Sequence, residues 1–213
     1  MHRILTASKD TYITNKIINK SFRATDANVG SAGTLDLFKL YNENTISGET
    51  NPIEFSRLLI KFPLSEITKM DSDGDIDITD SSFKCQIKLH DVYGGQTTPS
   101  NFKIILFPLA KDFDEGSGMD VVQFSDVMAT NFVTASITNG TPVAWSLPGA
   151  MKSGSLGTDD MDVYSSGSLG AGVISLSPMQ TFETGKEDLI LDVTNIVSGT
   201  VTDQIPDKGF FTS

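Results

Sequence analysis

The chain has 213 residues, and its 16 Lys and Arg against 27 Asp and Glu leave a formal net charge of −11. That balance excludes the basic face needed to track nucleic-acid phosphates or to dock on an anionic membrane. Two His and one Cys are too few for the usual Cys/His zinc sites, and no apolar run approaches the ~20 residues of a membrane helix.

The start, Met1-His2-Arg3-Ile4-Leu5-Thr6, lacks the apolar core of a secretory signal. Cys85 stands alone and cannot close an intrachain disulfide. Folding is therefore expected in a reducing cytoplasm, or in a fragment that has lost its signal. Residues 33–40 alternate apolar and polar and predict a strand. Leu58, Ile60 and Phe62 predict one face of another, with Lys61 on the opposite side. Residues 83–90 alternate without a break. Residues 102–107 are apolar on both faces and predict a central strand stopped by Pro108. Residues 172–176 and 188–193 complete the strong strands. A short helix is expected after Val193, capped by Thr194 and ending near Gly199. The Gly- and Ser-rich stretch 149–172 predicts a long ordered loop, not a domain boundary, because strand pattern resumes after it. No helical stretch is long enough for parallel crossovers, so the sheets are expected to be antiparallel. The fold class is all-β: one domain over 1–213, an antiparallel two-sheet sandwich, jelly-roll-like, with long loops.

Carboxylates gather in loops, at 71–80, 112–120 and 159–162, while the strands carry Lys. Asp71, Asp73, Asp75 and Asp77 alternate as a calcium loop would, since calcium takes many oxygen ligands. The helix-loop-helix calcium pattern is broken, with Gly74 in the fourth position and Ser82 in the twelfth. The other reading is a solvated acidic turn. Asp114, Glu115 and Asp120 offer paired carboxylates for glycosidase-type acid–base work. Alternatively they hold the amides of their own glycine-containing loop. Trp145, before a Pro-Gly turn, is either a sugar-stacking platform or a buried anchor. His90 is the one histidine away from the terminus, and its neighbours form no nucleophile elbow.

Taken in order, these segments resemble a family. Asp10-Thr11-Tyr12-Ile13, Asn28-Val29-Gly30 and Arg57-Leu58-Leu59-Ile60-Lys61-Phe62-Pro63-Leu64-Ser65 are similar to the opening of DNRLRE-type domains. Phe113-Asp114-Glu115-Gly116 resembles that family's Trp-x-Glu-Gly loop, and residues 145–149 its Trp-x-x-Pro-Gly turn. Leu191-Asp192-Val193-Thr194 with Ile196-Val197 resembles its Asp-Val-Thr strand and short helix. Lys208-Gly209-Phe210 resembles the start of a late strand. Phe113 stands where the family has Trp, and Pro63 where it has Asp. The family closes with one more strand, so this chain is expected to be truncated after Ser213. The resemblance implies a carbohydrate-binding-module-like β-sandwich.

Residues 25–30 and 94–102 also resemble structural proteins of tailed bacteriophages. The resemblance thus implies a non-enzymatic virion component of capsid, neck, tail or fibre. It would fold in the host cytoplasm and assemble with other virion proteins or with copies of itself. The alternative is an extracellular glycan-binding module of a larger adhesin or polysaccharide-active protein. Trp145, Tyr12 and Tyr164 would then bind host-surface glycan, with calcium at Asp71, Asp73, Asp75 and Asp77. A carboxylate hydrolase is the third reading. No catalytic residue is assigned, and neither nucleic acid nor membrane is expected as a partner.

Overall fold

A computed structural model describes residues 2–92, 99–122, 129–169 and 172–213. The elements in chain order are β1 (Lys9–Thr14), β2 (Ile17–Ile18), β3 (Phe22–Arg23), β4 (Lys39–Tyr41), β5 (Ile53–Lys61), α1 (Ser65–Ser72), β6 (Gln86–Leu89), β7 (Phe102–Pro108), β8 (Thr134–Thr138), β9 (Thr141–Ala144), β10 (Ser153–Ser155), β11 (Val163–Leu169), β12 (Gly172–Ser175), β13 (Met179–Phe182), β14 (Leu189–Asp192), α2 (Thr194–Val201) and β15 (Phe210–Thr212). The fold is all-β, as the alternation predicts.

The main sheet has the order β1-β5-β15-β7-β13, and β4 also pairs with β5. All of its pairings are antiparallel. Register fixes two faces, because directly paired residues share a side. Tyr12, Leu58, Ile60, Phe210 and Leu106 point one way, onto α1, α2 and the β6–β14 pair. Ile13, Leu59, Phe211 and Phe107 point the other way, onto Phe113, Trp145, Ala150 and Val163. The run Leu58-Leu59-Ile60 is therefore buried on both sides. Burying each such side chain contributes about 1.5–3 kcal/mol.

β13 ends the sheet but is not left bare. The Gln180 side-chain amide donates to Asp188 O at 2.8 Å and accepts from Ile190 N at 2.7 Å. It splices the β14–β6 pair beside β13 much as a peptide group would, which blunts an exposed edge.

The structure departs from the sequence expectations in five places. β10 runs parallel to β11. Both strands lie inside 149–172, which was expected to be loop. Of residues 33–40 only the end is strand. Leu35 and Leu37 instead pack beside Tyr12 and Leu58, and Phe38 N is held by the Ser56 hydroxyl at 2.9 Å. Of residues 83–90 only β6 is strand, while Cys85 N bonds the Thr194 hydroxyl at 2.9 Å. That bond occupies the expected cap of α2, so the Asp192 carboxylate holds Thr194 N at 2.9 Å instead, and Gly199 lies within the helix. Helix α1 was not expected at all. It spans eight residues and buries only Ile67, too little for a periodic signal.

Candidate functional site

The motifs that resemble one another's neighbours in sequence order come together at the β1 edge. Asn28 is fully buried, and all of its amide is used. Its Nδ2 donates to Glu115 O at 2.8 Å and Thr130 O at 2.9 Å. Its Oδ1 accepts from Gly30 N at 3.2 Å and Gly118 N at 2.9 Å. The approach is so close that a Cβ on Gly118 would sit 1.7 Å from Asn28 O, and one on Gly30 1.9 Å from Glu115 O. Only glycine fits at either position.

The carboxylates of this loop turn inward. Glu115 Oε1 accepts from Asp10 N at 2.9 Å, capping the free edge of β1. Asp114 Oδ2 accepts from Ile137 N at 2.6 Å, and Asp120 Oδ1 from Val122 N at 2.7 Å. Burial, and then the nearby charge of Glu115, raise the Asp10 carboxyl above its ordinary pKa.

A second knot forms on the opposite face of the sheet. Asp162 has no solvent exposure. Its Oδ1 accepts from Ser146 N at 2.7 Å, and its Oδ2 from Leu147 N at 3.1 Å and Lys152 N at 3.0 Å. Lys111 Nζ lies 3.5 Å away. Arg57 reaches the same turn from β5, donating from Nη1 to Gly149 O. Its guanidinium lies 4.7 Å from the Phe55 ring centre and 5.2 Å from that of Phe211. Burial lowers its pKa to about 10, opposed by the charge of Asp162.

The proposed glycan platform is corrected. Trp145 is 4% exposed, and its indole donates to Asn131 O at 3.0 Å. It packs among Leu59, Phe113 and Phe211. Tyr12 is 6% exposed and lies across the sheet, in another cluster. Its hydroxyl bonds Asp36, and burial followed by the Asp36 charge pushes its pKa up to about 12. Tyr164 packs, half-buried, against a third cluster. The three rings share no surface.

The calcium assignment is corrected as well. Among the described residues no three His, Cys, Asp or Glu side chains are gathered to hold a metal. Asp71 lies in α1 and accepts from Ile78 N at 3.0 Å. Asp73 is salt-bridged to Lys69. Asp77 accepts from Thr79 N at 2.8 Å, and Asp75 is exposed without joining them. Helix geometry splays alternate carboxylates that an extended loop would gather.

His90 is exposed, with Nδ1 3.0 Å from Asp188 Oδ2. No serine or cysteine bonds it among the described residues. Residues 94–98, part of the phage-like segment, lie outside the described residues. A hollow lined by Phe62, Leu64, Ile196 and Phe210 holds about 10 Å³, roughly one water. Among the described residues no helix is long and apolar enough to cross a membrane.

Sequence reasoning missed Asp162 by counting it with its solvated neighbours Asp159 and Asp160. Its apolar flanks, Met161 and Val163, were the available signal. No protein-family model, curated protein or solved structure matches the chain.

Proposed function

We propose that the chain is a non-enzymatic structural component of a tailed-phage virion, acting through its outer surfaces. One observation carries the non-enzymatic part: the polar groups with candidate chemistry are spent on the chain's own backbone. Asn28, Asp114, Glu115 and Asp162 together accept or donate nine such bonds. A catalytic carboxylate must instead face a reacting group. A module whose polar residues lock its loops suits repeated packing into a particle. The order of motifs that resemble phage structural proteins supports the virion context.

The test is density-gradient fractionation of lysates in which the protein is made with its native neighbours. Mass spectrometry and negative-stain imaging then follow the fractions. The chain should co-sediment with particles at constant ratio. Recovery only in the soluble fractions would overturn the reading. So would hydrolysis of a polysaccharide that is lost in Glu115→Gln with the fold intact.

A further inference from the structure

The search covered the hollow beside α2, the half-buried Cys85, the Asp10–Glu115 pair, the buried Glu54 and the exposed apolar residues. The charge arrangement along β5 carries furthest. At the start of β5, Tyr41 and Ile53 are cross-strand partners, and both are exposed, Tyr41 at 62%. Arg23 ties the β2–β3 hairpin to this corner through Ile53 O at 3.2 Å, beside exposed Phe22. Three lysines surround the apolar group. Lys39 lies 5.3 Å from the Tyr41 ring centre, Lys16 lies 5.6 Å from that of Phe38, and Lys20 stands at the hairpin tip. None of the three has a carboxylate partner among the described residues. The nearby Glu49 is spent on Arg23.

The other end of β5 is the opposite in sign. The chain runs from Lys61 into α1 and then through Asp73, Asp75, Asp77 and Asp80, all exposed. Hydrogen bonds from Thr79 and Ser82 hold the Asp77 and Asp80 carboxyls below their ordinary range, so both stay charged. β5 has nine residues, so the two ends are roughly 30 Å apart at about 3.3 Å per residue. One copy cannot close that distance on itself, and the Debye length of about 8 Å at physiological salt keeps the two regions electrostatically independent.

We propose that the Phe22–Tyr41–Ile53 corner with its lysines docks the acidic segment 73–80 of a second copy, head to tail. The occupant is a protein because the lysines frame exposed apolar side chains. It is this chain because the acidic segment lies at the opposite end of the strand that carries the corner. Such a contact is heterologous and propagates into a ring or a row. This proposal rests on the assembly reading above and gives it a surface.

The test is sedimentation equilibrium at 20 and 500 mM salt on the wild-type chain and two double variants, with circular dichroism to confirm folding. Wild type should self-associate at low salt and weaken at high salt. Lys20→Glu with Lys39→Glu, and separately Asp73→Lys with Asp75→Lys, should each weaken association by roughly tenfold or more. Mixed, the two variants should form a 1:1 pair that grows no further, because each retains one competent end. Monomeric wild type at low salt would overturn the proposal, and so would association unchanged by either variant or a mixture that stays monomeric. A monomer that binds polygalacturonate through the lysine corner would also overturn it, in favour of an acidic glycan. A monomer still found in particles would sink the docking and leave the virion reading standing. Intact head-to-tail pairing without particle association would sink the virion reading alone.

Discussion

Replacing Asp162 with Asn changes almost no volume and removes one charge. Three amides depend on that carboxylate: Ser146 N on one oxygen, Leu147 N and Lys152 N on the other. An asparagine keeps one oxygen. In its better orientation it still accepts from Leu147 and Lys152 and turns an NH2 group toward Ser146 N. One buried donor then faces another, a loss of about 1–3 kcal/mol. Lys111, 3.5 Å away, and the half-buried Arg57 also lose their counter-charge. Breaking a buried pair costs about 3–5 kcal/mol, so the total is expected near ~4 kcal/mol. For a chain of this size that is roughly 8–16 °C in Tm. The control is Asp160→Asn, an exposed carboxylate on the same loop that pairs with Lys152 at 3.0 Å, expected to cost under ~1 kcal/mol. Urea unfolding followed by Trp145 fluorescence reads both, since Trp145 adjoins the affected turn. A similar m-value with a much lower midpoint for Asp162→Asn is expected. Equal midpoints for the two variants would refute the claim that Asp162 is the internal anchor.

Asn28→Asp keeps the oxygen that serves Gly30 and Gly118 but sets a second one against the carbonyls of Glu115 and Thr130. A loss of about 2–4 kcal/mol in thermal unfolding is expected. Gly118→Ala should destabilise the chain by more than ~2 kcal/mol, because its Cβ would overlap Asn28 O. Gly33→Ala, with open space around it, should stay within ~0.5 kcal/mol by the same measurement. Asp10→Asn tests a pH dependence. Its folded pKa is raised, so the folded state holds the proton more tightly than the unfolded state does. The stability Asp10 confers is full at low pH and is lost as pH rises through the folded pKa. Asp10→Asn should therefore melt slightly higher than wild type at pH 7, by under ~1 kcal/mol, with no difference near about pH 3.

Much of the fold was legible because alternation and continuous apolar runs report burial directly. Residues 102–107 predicted a central strand, and β7 lies between β15 and β13. Residues 33–40 alternate equally well, yet their backbone is held by Ser56 rather than by a full ladder. Periodicity records which side chains are buried, not which partner the backbone finds. The site was less legible for the same kind of reason. Trp145 beside a Pro-Gly turn has one sequence signature whether its ring faces solvent or Phe211, and only tertiary packing separates the two. Alternating aspartates predict a cation loop only if the backbone is extended, and α1 takes up the first of them. Asn28, Gly30, Glu115 and Gly118 could be quoted as separate motifs, but their mutual hydrogen bonds span some 90 residues of chain.

Amide hydrogen exchange tests most directly whether these motif residues are internal anchors. The account predicts that the amides of Gly118, Ser146, Leu147 and Lys152 exchange only on global unfolding, as slowly as the amides of Leu59 in β5. Exchange of these loop amides at the rate of free peptide, with Leu59 still protected, would contradict it.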